Sequence, residues 1–365
     1  MTNPSFSSAS FSDKRPPSGR SQSQDAVEAS FGHSFGHPAV ASDSASGLAS
    51  ERLAAQTAAQ TLVRRWVWKM AIATLALMAV GSATRVMNAG LACPDWPLCY
   101  GQLIPTQQMN LRVFLEWFHR LDASLIGLMA IGLVGISAWK RPLLPAWLPW
   151  ATLGALFLIV VQGLLGGLTV IELLRFDIVT AHLGTALLFF CTLLIIGMSL
   201  LPYKPTGNVG KLPWLGLAAA ILVYAQSIVG GLVGSRWAAH QCFGVADLCS
   251  VMNTHIAGVV PPTLAVIGLV VGVWRTPALD AWLRGLANTA GMLVVCQIAL
   301  GVATFKLRLQ VEPLTVCHQA IGAALLGSLV AFTVLSFRDV SIHHKVSQPA
   351  AKSVNPLPKT STASS

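Results

Sequence analysis

Charged side chains are scarce in this sequence of 365 residues. Asp, Glu, Lys and Arg together make up 10% of the chain, whereas an ordinary soluble domain has about 25%. With 54% hydrophobic residues, the chain has too little polar surface to cover a soluble globular enzyme of this size. Disorder as the main state is excluded as well, because it requires low hydrophobicity and high charge. The composition therefore predicts an integral membrane protein.

Long runs of like charge are also missing, although the formal net charge is +10. No run of five or more like charges occurs, and no basic stretch is interleaved with aromatic residues. These features are typical of surfaces that bind nucleic acid, so we expect no nucleic-acid partner. Residues 1–50 lack the apolar stretch of a signal peptide and are rich in Ser, Ala, Gly and Pro.

Apolar runs of about twenty residues recur between the two polar ends of the chain, and each is long enough to cross a hydrocarbon layer of about 30 Å. They predict eight transmembrane helices, at about 66–86, 113–139, 147–170, 177–201, 212–234, 251–274, 285–305 and 313–337. Residues 1–65 are predicted to form a disordered polar N-terminal tail, and residues 338–365 a disordered cytoplasmic tail. The predicted fold class is an all-α integral membrane protein.

Basic residues beside the spans predict the orientation, because Lys and Arg favour the cytoplasmic side. One side of the membrane carries Arg64, Arg65, Lys69, Lys140, Arg141, Lys204, Lys211, Arg275, Arg284, Arg338 and Lys345. The opposite, outer side carries Arg85, Arg112, Arg175, Arg236, Lys306 and Arg308. The loops on the two sides carry equal numbers of basic residues, so the basic residues of the flanking tails decide the predicted orientation. Both termini are predicted to be cytoplasmic.

The spacing of four histidines indicates an internal repeat. His119 precedes His182 by 63 residues, and His255 precedes His318 by the same 63. We therefore predict two tandem pseudo-symmetric four-helix bundles, residues 66–201 and 202–337. Other spacings recur as well. Cys93 follows Gly81 by 12 residues, as Cys242 follows Gly230. His182 follows Gln162 by 20 residues, and His318 follows Gln297 by 21. We interpret four glycines as helix-packing positions, Gly163, Gly167, Gly230 and Gly234.

The four histidines are predicted to lie in the even-numbered spans, about one to two turns from the outer end of each. Ionisable residues inside a membrane are costly and by default functional. Imidazole is a common metal ligand, and two facing histidines can hold a haem iron from both sides. The pattern favours two haem sites, one in each half, over histidines that only hydrogen-bond a neighbouring helix.

Glu116 precedes His119 by three residues, so the two side chains can share one face of the second helix. Three interpretations stay open for this carboxylate. It can act in catalysis as base, acid or electrostatic stabiliser, it can orient the imidazole, or it can lie at the membrane surface. Arg120 and Asp122 are interpreted as an interfacial pair.

Two cysteine pairs are predicted on the outer side, Cys93 with Cys99 and Cys242 with Cys249. Disulfides persist in oxidising outer compartments, and each pair would close a small loop that stabilises the fold by roughly 2–3 kcal/mol. The alternative is a redox pair that relays electrons or gates the site.

These residues carry a resemblance to the haem A synthase family over residues 66–337. The matching segments are GSATRVMNAGLACPDWPLC at 81–99, E-x-x-H-R at 116–120, GGLTV at 166–170, AHLGTALL at 181–188 and C-H-Q at 317–319. The resemblance implies a membrane oxidoreductase that oxidises the C8 methyl of haem O to a formyl group by successive hydroxylations. The product would be haem A for cytochrome oxidase.

The resemblance also implies roles for individual residues. His119 and His182 would flank the haem O substrate in the first half, His255 and His318 would ligate a haem b cofactor in the second, and Glu116 would be catalytic. The cysteine pairs imply a bacterial protein of the cell (plasma) membrane, because the mitochondrial branch generally lacks them. Implied partners are the haem O substrate, the haem O synthase, an unidentified electron carrier and the lipid membrane, with a homo-oligomer left open.

Haem propionates are anionic, which gives the outer basic residues a second interpretation. We hypothesise that some of these residues pair with propionates, with Arg85, Arg112, Arg175 and Arg236 as the candidates.

Two other functions are compatible with the same residues. A two-haem b-type electron-transfer cytochrome shares the histidines but does not require Glu116. A membrane thiol-disulfide oxidoreductase would use the outer cysteines and need no histidine. A transporter is disfavoured, because few polar groups beyond the histidines lie in the spans.

Overall fold

The computed structural model describes residues 39–234 and 250–347, with side chains described for residues 47–234 and 250–341. The chain divides into a unit of Met1–Ala49 and a unit of Ser50–Ser365, and the features below belong to the second unit. The helices are α1 (Ala39–Val86), α2 (Leu111–Trp139), α3 (Leu148–Ile171), α4 (Phe176–Ser199), α5 (Leu212–Val233), α6 (Ser250–Gly258), α7 (Val260–Arg275), α8 (Ala281–Lys306) and α9 (Glu312–Ser347).

Eight helical spans in the described residues are long and apolar enough to cross a membrane, and these residues form no β-strand. The protein is therefore an all-α, multi-pass membrane protein, and the predicted fold class is confirmed. The interior spans begin and end within four residues of their predicted bounds.

The first and last spans are longer than the sequence predicts. The first helix begins at Ala39 rather than near residue 66, and the last extends to Ser347 rather than ending near 337. Residues 51–65 are rich in Ala, Leu, Gln and Arg and contain neither Gly nor Pro. Such residues favour helix even where nothing packs against them, so the helix continues beyond its apolar segment.

The sixth span is interrupted. Helices α6 and α7 meet at Val259, just before the adjacent Pro261 and Pro262 in the first turn of α7. Proline lacks an amide hydrogen, and its ring clashes with the carbonyl four residues earlier, so one continuous helix is disfavoured here. His255 consequently lies on a short helix of its own.

Helix α9 is the centre of the packing. It contacts α4, α5 and α8, and 72% of its most apolar window is buried, compared with 17% for α3 and for α8. Two glycines allow the close approach. A Cβ atom on Gly216 of α5 would lie 2.8 Å from Cδ1 of Phe332, and one on Gly327 of α9 would lie 3.0 Å from Cε1 of Phe190. Small residues at helix contacts are a common basis of packing within membranes.

The other helices pack mainly with their chain neighbours. Helix α3 contacts α2 and α4, and α4 also touches α5 and α9. Helix α5 contacts α7 and α9, and α8 contacts the same two helices. Helix α1 meets α2, where the indole of Trp66 donates a hydrogen bond of 3.0 Å to the carbonyl of Met129.

A buried carboxylate ties the connection between α4 and α5 to the end of α9. Asp339 is fully buried and accepts hydrogen bonds from the Tyr203 hydroxyl, from the amide and hydroxyl of Thr206 and from the Gly207 amide, at 2.6–3.2 Å. Burial, followed by the hydrogen bond to Asp339, raises the pKa of Tyr203. The phenol therefore stays protonated and keeps donating at neutral pH.

Replacement of Asp339 by Asn is expected to lower the free energy of unfolding by about 2–3 kcal/mol, because buried donors lose a charged acceptor. Thermal unfolding of the purified protein in detergent measures the change. Glu172→Gln is the matched control, since Glu172 forms only an exposed ion pair with Arg175. An Asp339→Asn midpoint equal to that of the control would contradict the role of Asp339 as an anchor.

Candidate functional site

The four histidines form two pairs of nearly identical geometry. The ring centroids of His119 and His182 lie 6.4 Å apart with an interplanar angle of 71°. Those of His255 and His318 also lie 6.4 Å apart, at 82°. Each histidine sits about two turns or less from the N-terminal end of its helix. Because these helices belong to the even-numbered spans, all four rings lie toward the same side of the membrane.

A glycine on the preceding span faces each imidazole. A Cβ atom on Gly81 would lie 2.7 Å from Cε1 of His119, and one on Gly166 would lie 3.2 Å from Cε1 of His182. A Cβ atom on Gly230 would lie 3.0 Å from Cε1 of His255, and one on Gly301 would lie 3.0 Å from Cε1 of His318. These glycines leave the space that the rings occupy.

This finding corrects the interpretation of Gly230 as a helix-packing position only. The other three glycines have different surroundings. A Cβ atom on Gly163 would have no neighbour within 4 Å. Gly167 faces the indole of Trp96, and Gly234 faces the guanidinium of Arg85. Three of the four therefore adjoin polar or aromatic side chains of the site.

Glutamine amides accompany three of the four imidazoles. The amide nitrogens of Gln162 and Gln297 lie 3.2 Å from Nε2 of His182 and His318, respectively. Gln226 lies 2.9 Å from Nδ1 of His255 and also donates to the His255 carbonyl. Each of these glutamines precedes a ring-facing glycine by four residues.

His119 breaks the pattern. The residue four positions before Gly81 is Leu77, and no glutamine amide is bonded to the His119 ring among the described residues. The two pairs therefore differ: both histidines of the second pair contact an amide, while the first pair has one such contact.

Each histidine pair lies in a cavity of about 410 Å³, which is within the range of small-molecule sites. The first cavity contains His119 and His182 and is also lined by Glu116 and Arg120. The second contains His255 and His318, with largely apolar walls. The residues that line both cavities are Met78, Arg85, Leu183 and Gln319.

Glu116 is buried, with 3% of its surface exposed, so the surface interpretation is wrong. Its Oε1 accepts a hydrogen bond of 2.5 Å from Arg120, and its Oε2 accepts one of 2.8 Å from the Cys93 amide. Neither oxygen contacts His119 through a hydrogen bond in the described residues. The carboxylate is therefore positioned by Arg120 and by the backbone of the loop that precedes α2, rather than by the imidazole.

Arg120 holds the loop that precedes α2. Its guanidinium donates to the carbonyls of Asp95 and Leu98 at 2.6 Å and to that of Cys93 at 3.4 Å. The sequence assigns Arg120 to a pair with Asp122, whereas the structure pairs it with Glu116. Sequence reasoning misses this residue because its partners come from a loop whose path depends on the fold.

The loop itself is closed by a disulfide between Cys93 and Cys99, as the sequence predicts. Both cysteines are buried, at 0% and 2% exposure. Trp96 and Pro97, between them, line the first cavity. The loop therefore forms part of the wall of that cavity. Cys242 and Cys249, the second predicted pair, lie outside the described residues.

Asp95 stabilises the turn at the end of this loop. Its carboxylate accepts hydrogen bonds from the Gly101 amide at 2.8 Å and the Tyr100 amide at 2.6 Å. These backbone hydrogen bonds, that of Gly101 first, lower the pKa of Asp95. The carboxylate is therefore ionised at neutral pH and remains an acceptor there.

The outer arginines occupy different environments. Arg85 lines both cavities and donates a hydrogen bond of 3.1 Å to Oε1 of Gln319. Arg175 is bonded to Asp177 and Glu172, and the hydrogen bond to Asp177 raises the pKa of Arg175. Neither Arg175 nor the exposed Arg112 lines a cavity. Arg236 lies outside the described residues.

The residues fit a metal that brings its own equatorial ligands. Nδ1 of His119, His182 and His318 is buried without a hydrogen-bond partner in the described residues, so each of these rings keeps one unpaired nitrogen. Metal–imidazole bonds are about 2 Å long, so rings on opposite sides of one ion have centroids about 6 Å apart, close to the spacing observed. The described residues contain no cluster of three or more His, Cys, Asp or Glu that could hold a bare ion. A haem iron needs only two protein ligands, and these pairs can supply them.

Comparison with known proteins agrees with this chemistry. A family model described as cytochrome oxidase assembly protein matches residues 64–330. A protein named Heme A synthase from Shewanella oneidensis is 27% identical over 316 residues, covering 73% of this chain and 94% of the relative. Proteins of the same name from Caulobacter vibrioides and Rhizorhabdus wittichii are 28% and 26% identical over 326 residues each. Each alignment covers 73% of this chain, and they cover 94% and 91% of those relatives.

Replacement of Gly81 by Ala is expected to displace the His119 ring and to lower the free energy of unfolding by about 1–3 kcal/mol through overpacking. Thermal unfolding in detergent measures this change. Gly135→Ala on α2 is the control, because nothing lies within 4 Å of a Cβ atom there and Ala favours helix over Gly. Equal or higher stability of Gly81→Ala would show that the ring does not depend on this space.

Proposed function

Since this chain belongs to the family of cytochrome oxidase assembly proteins, we propose that it makes haem A by oxidising the C8 methyl of haem O to a formyl group. The observation that carries the proposal is the duplicated histidine pair. Two cavities of equal volume each present two imidazoles at 6.4 Å. One cavity can hold a substrate haem while the other holds a resident haem.

The contrast between the cavities supports the assignment of substrate to the first half and cofactor to the second. In the second cavity both imidazoles contact a glutamine amide, and Gln226 bonds to Nδ1 of His255. A partner on Nδ1 orients a ligand imidazole and leaves its Nε2 for a metal, and of the four imidazoles His255 alone has a glutamine amide at Nδ1 within the described part of the chain. His119 has no such amide, which suits a ligand that must exchange with each turnover.

Glu116 and Arg120 supply the polar chemistry of the first cavity. Buried and paired, the Glu116 carboxylate can stabilise positive charge that develops on the substrate or accept a proton from the carbon being oxidised. Arg120 and the Cys93 amide hold its two oxygens in place. This arrangement favours the catalytic interpretation of Glu116 over the orienting one.

A haem b held by His255 and His318 would supply one-electron chemistry beside the substrate. Conversion of the methyl to a formyl group with the oxygen of one water releases four protons and four electrons, and these electrons would pass to an electron carrier outside the chain. Side chains that line both cavities separate them.

We further propose that the protein lies in the cell membrane with both termini cytoplasmic and receives haem O from the haem O synthase. In this orientation the histidines and the disulfide-closed loop face the outer, oxidising side, where the Cys93–Cys99 bond persists. The two halves, residues 66–201 and 202–337, would then be parallel copies with different tasks. The burial of Cys93 and Cys99 supports a structural role for this disulfide.

Replacement of Glu116 by Gln is expected to reduce haem A formation by about 100-fold or more, as for loss of a positioned acid–base group. The haem content should stay unchanged, since Glu116 is no iron ligand. Extraction of haems from the purified protein, followed by chromatography, measures haem B, haem O and haem A separately. Glu172→Gln is the control for a carboxylate remote from both cavities.

The outcome also discriminates between functions. A two-haem electron-transfer cytochrome would show no haem A with either the unsubstituted protein or the variant, and its reduction kinetics would not depend on Glu116. A thiol-disulfide oxidoreductase would contain no haem at all. Either result would contradict the proposed function.

A further inference from the structure

The wall between the two cavities contains a positive charge. Of the residues that line both cavities, Met78 and Leu183 are apolar, whereas Arg85 and Gln319 are polar. Arg85 comes from the end of α1 and Gln319 from α9, where it directly follows His318. Their hydrogen bond of 3.1 Å joins the first half of the chain to the second.

The charge of Arg85 has no carboxylate partner among the residues that the structure describes. The ion pairs there are made by Arg120 and Arg175. A guanidinium carries five N–H donors in a planar fork that matches a carboxylate, and Gln319 accepts from one of them. Arg85 is half-buried, and a charge that is withdrawn from water is costly unless it is paired, so a ligand anion at this place would remove a penalty.

Arg85 also reaches beyond its own half. A Cβ atom on Gly234, just after α5, would lie 2.8 Å from both terminal nitrogens of Arg85. The absence of a side chain at Gly234 therefore leaves room for the guanidinium beside the second cavity. Gln319 supports it from the opposite element, α9.

We propose that Arg85 is an anion contact shared by the two cavities, whose guanidinium binds a ligand carboxylate in each of them. The inference rests on the proposed function, in which each cavity takes a tetrapyrrole with two carboxylates. It narrows the sequence-based hypothesis, in which Arg85 is one of four candidate propionate partners. A single cation between two anionic ligands makes the occupancy of one cavity felt in the other.

The test uses the full chain, purified free of haem, in two forms that keep one histidine pair each. His182→Ala leaves the second cavity intact, and His318→Ala leaves the first. Haemin and haemin dimethyl ester, which lacks free carboxylates, are titrated into each form and followed by the Soret absorbance. Arg85→Gln is then introduced into both forms, with Arg175→Gln as the control at an exposed arginine.

Loss of a charge-assisted hydrogen bond should weaken haemin binding about tenfold or more in both forms. The affinity for the dimethyl ester should not change, because its carboxylates are blocked. Arg175→Gln should leave both affinities unchanged. Arg85→Lys keeps the charge but not the fork, so it should weaken haemin binding less than Arg85→Gln does.

A loss in only one form would overturn the sharing, and equal losses for haemin and its ester would overturn the carboxylate contact. If Arg85→Gln does not fold, Gln319→Leu takes its place, because it removes the partner of Arg85 and should weaken haemin but not ester binding in both forms. If neither single-pair form binds haemin, the proposed function fails together with this inference. If both bind haemin and Arg85→Gln binds it equally well, only this inference fails.

Discussion

Space beside a glycine is the constraint on which the site depends. An imidazole inside a packed membrane bundle must fit between helices that approach closely, and it must leave one nitrogen toward a cavity. Gly81, Gly166, Gly230 and Gly301 meet this need four times, each opposite one histidine. The rest of the site has the same regularity, with two pairs at equal spacing and two cavities of about the same volume. Packing in this protein thus creates the places for its polar groups.

The two histidine pairs have nearly the same geometry, and a few polar residues give the two cavities different surroundings. The residue four positions before the ring-facing glycine is Leu77 for His119, whereas it is a glutamine for the other three histidines. Glu116 and Arg120 form a charged pair that lines the first cavity alone. The disulfide-closed loop adds Trp96 to the same cavity. In one cavity both histidines therefore contact a glutamine amide, and in the other one histidine lacks this contact and a carboxylate is present.

The local features of the chain were readable from its sequence. Apolar length alone gives the bounds of the interior spans, and the repeated spacing of 63 residues pairs the histidines. Features that depend on neighbours were not readable. The most apolar segments of α9 and α3 have nearly equal mean hydropathies, 2.1 and 2.2. In α9, however, 72% of this segment is buried inside the protein, compared with 17% in α3. Hydropathy does not distinguish lipid from protein as the surrounding medium. Charge alone likewise did not separate Arg85 from Arg112 and Arg175. The recurring Gln–Gly spacing was visible in the sequence, but its meaning required the rings that it supports.

The central position of α9 has a consequence for biosynthesis. Among the described helices it is the last to be synthesised, yet it carries His318, Gln319 and Asp339 and packs against α4, α5 and α8. Until it enters the membrane, the second histidine pair lacks one member and the wall between the cavities lacks one side. Membrane insertion from the N-terminus therefore leaves both cavities incomplete until α9 is in place.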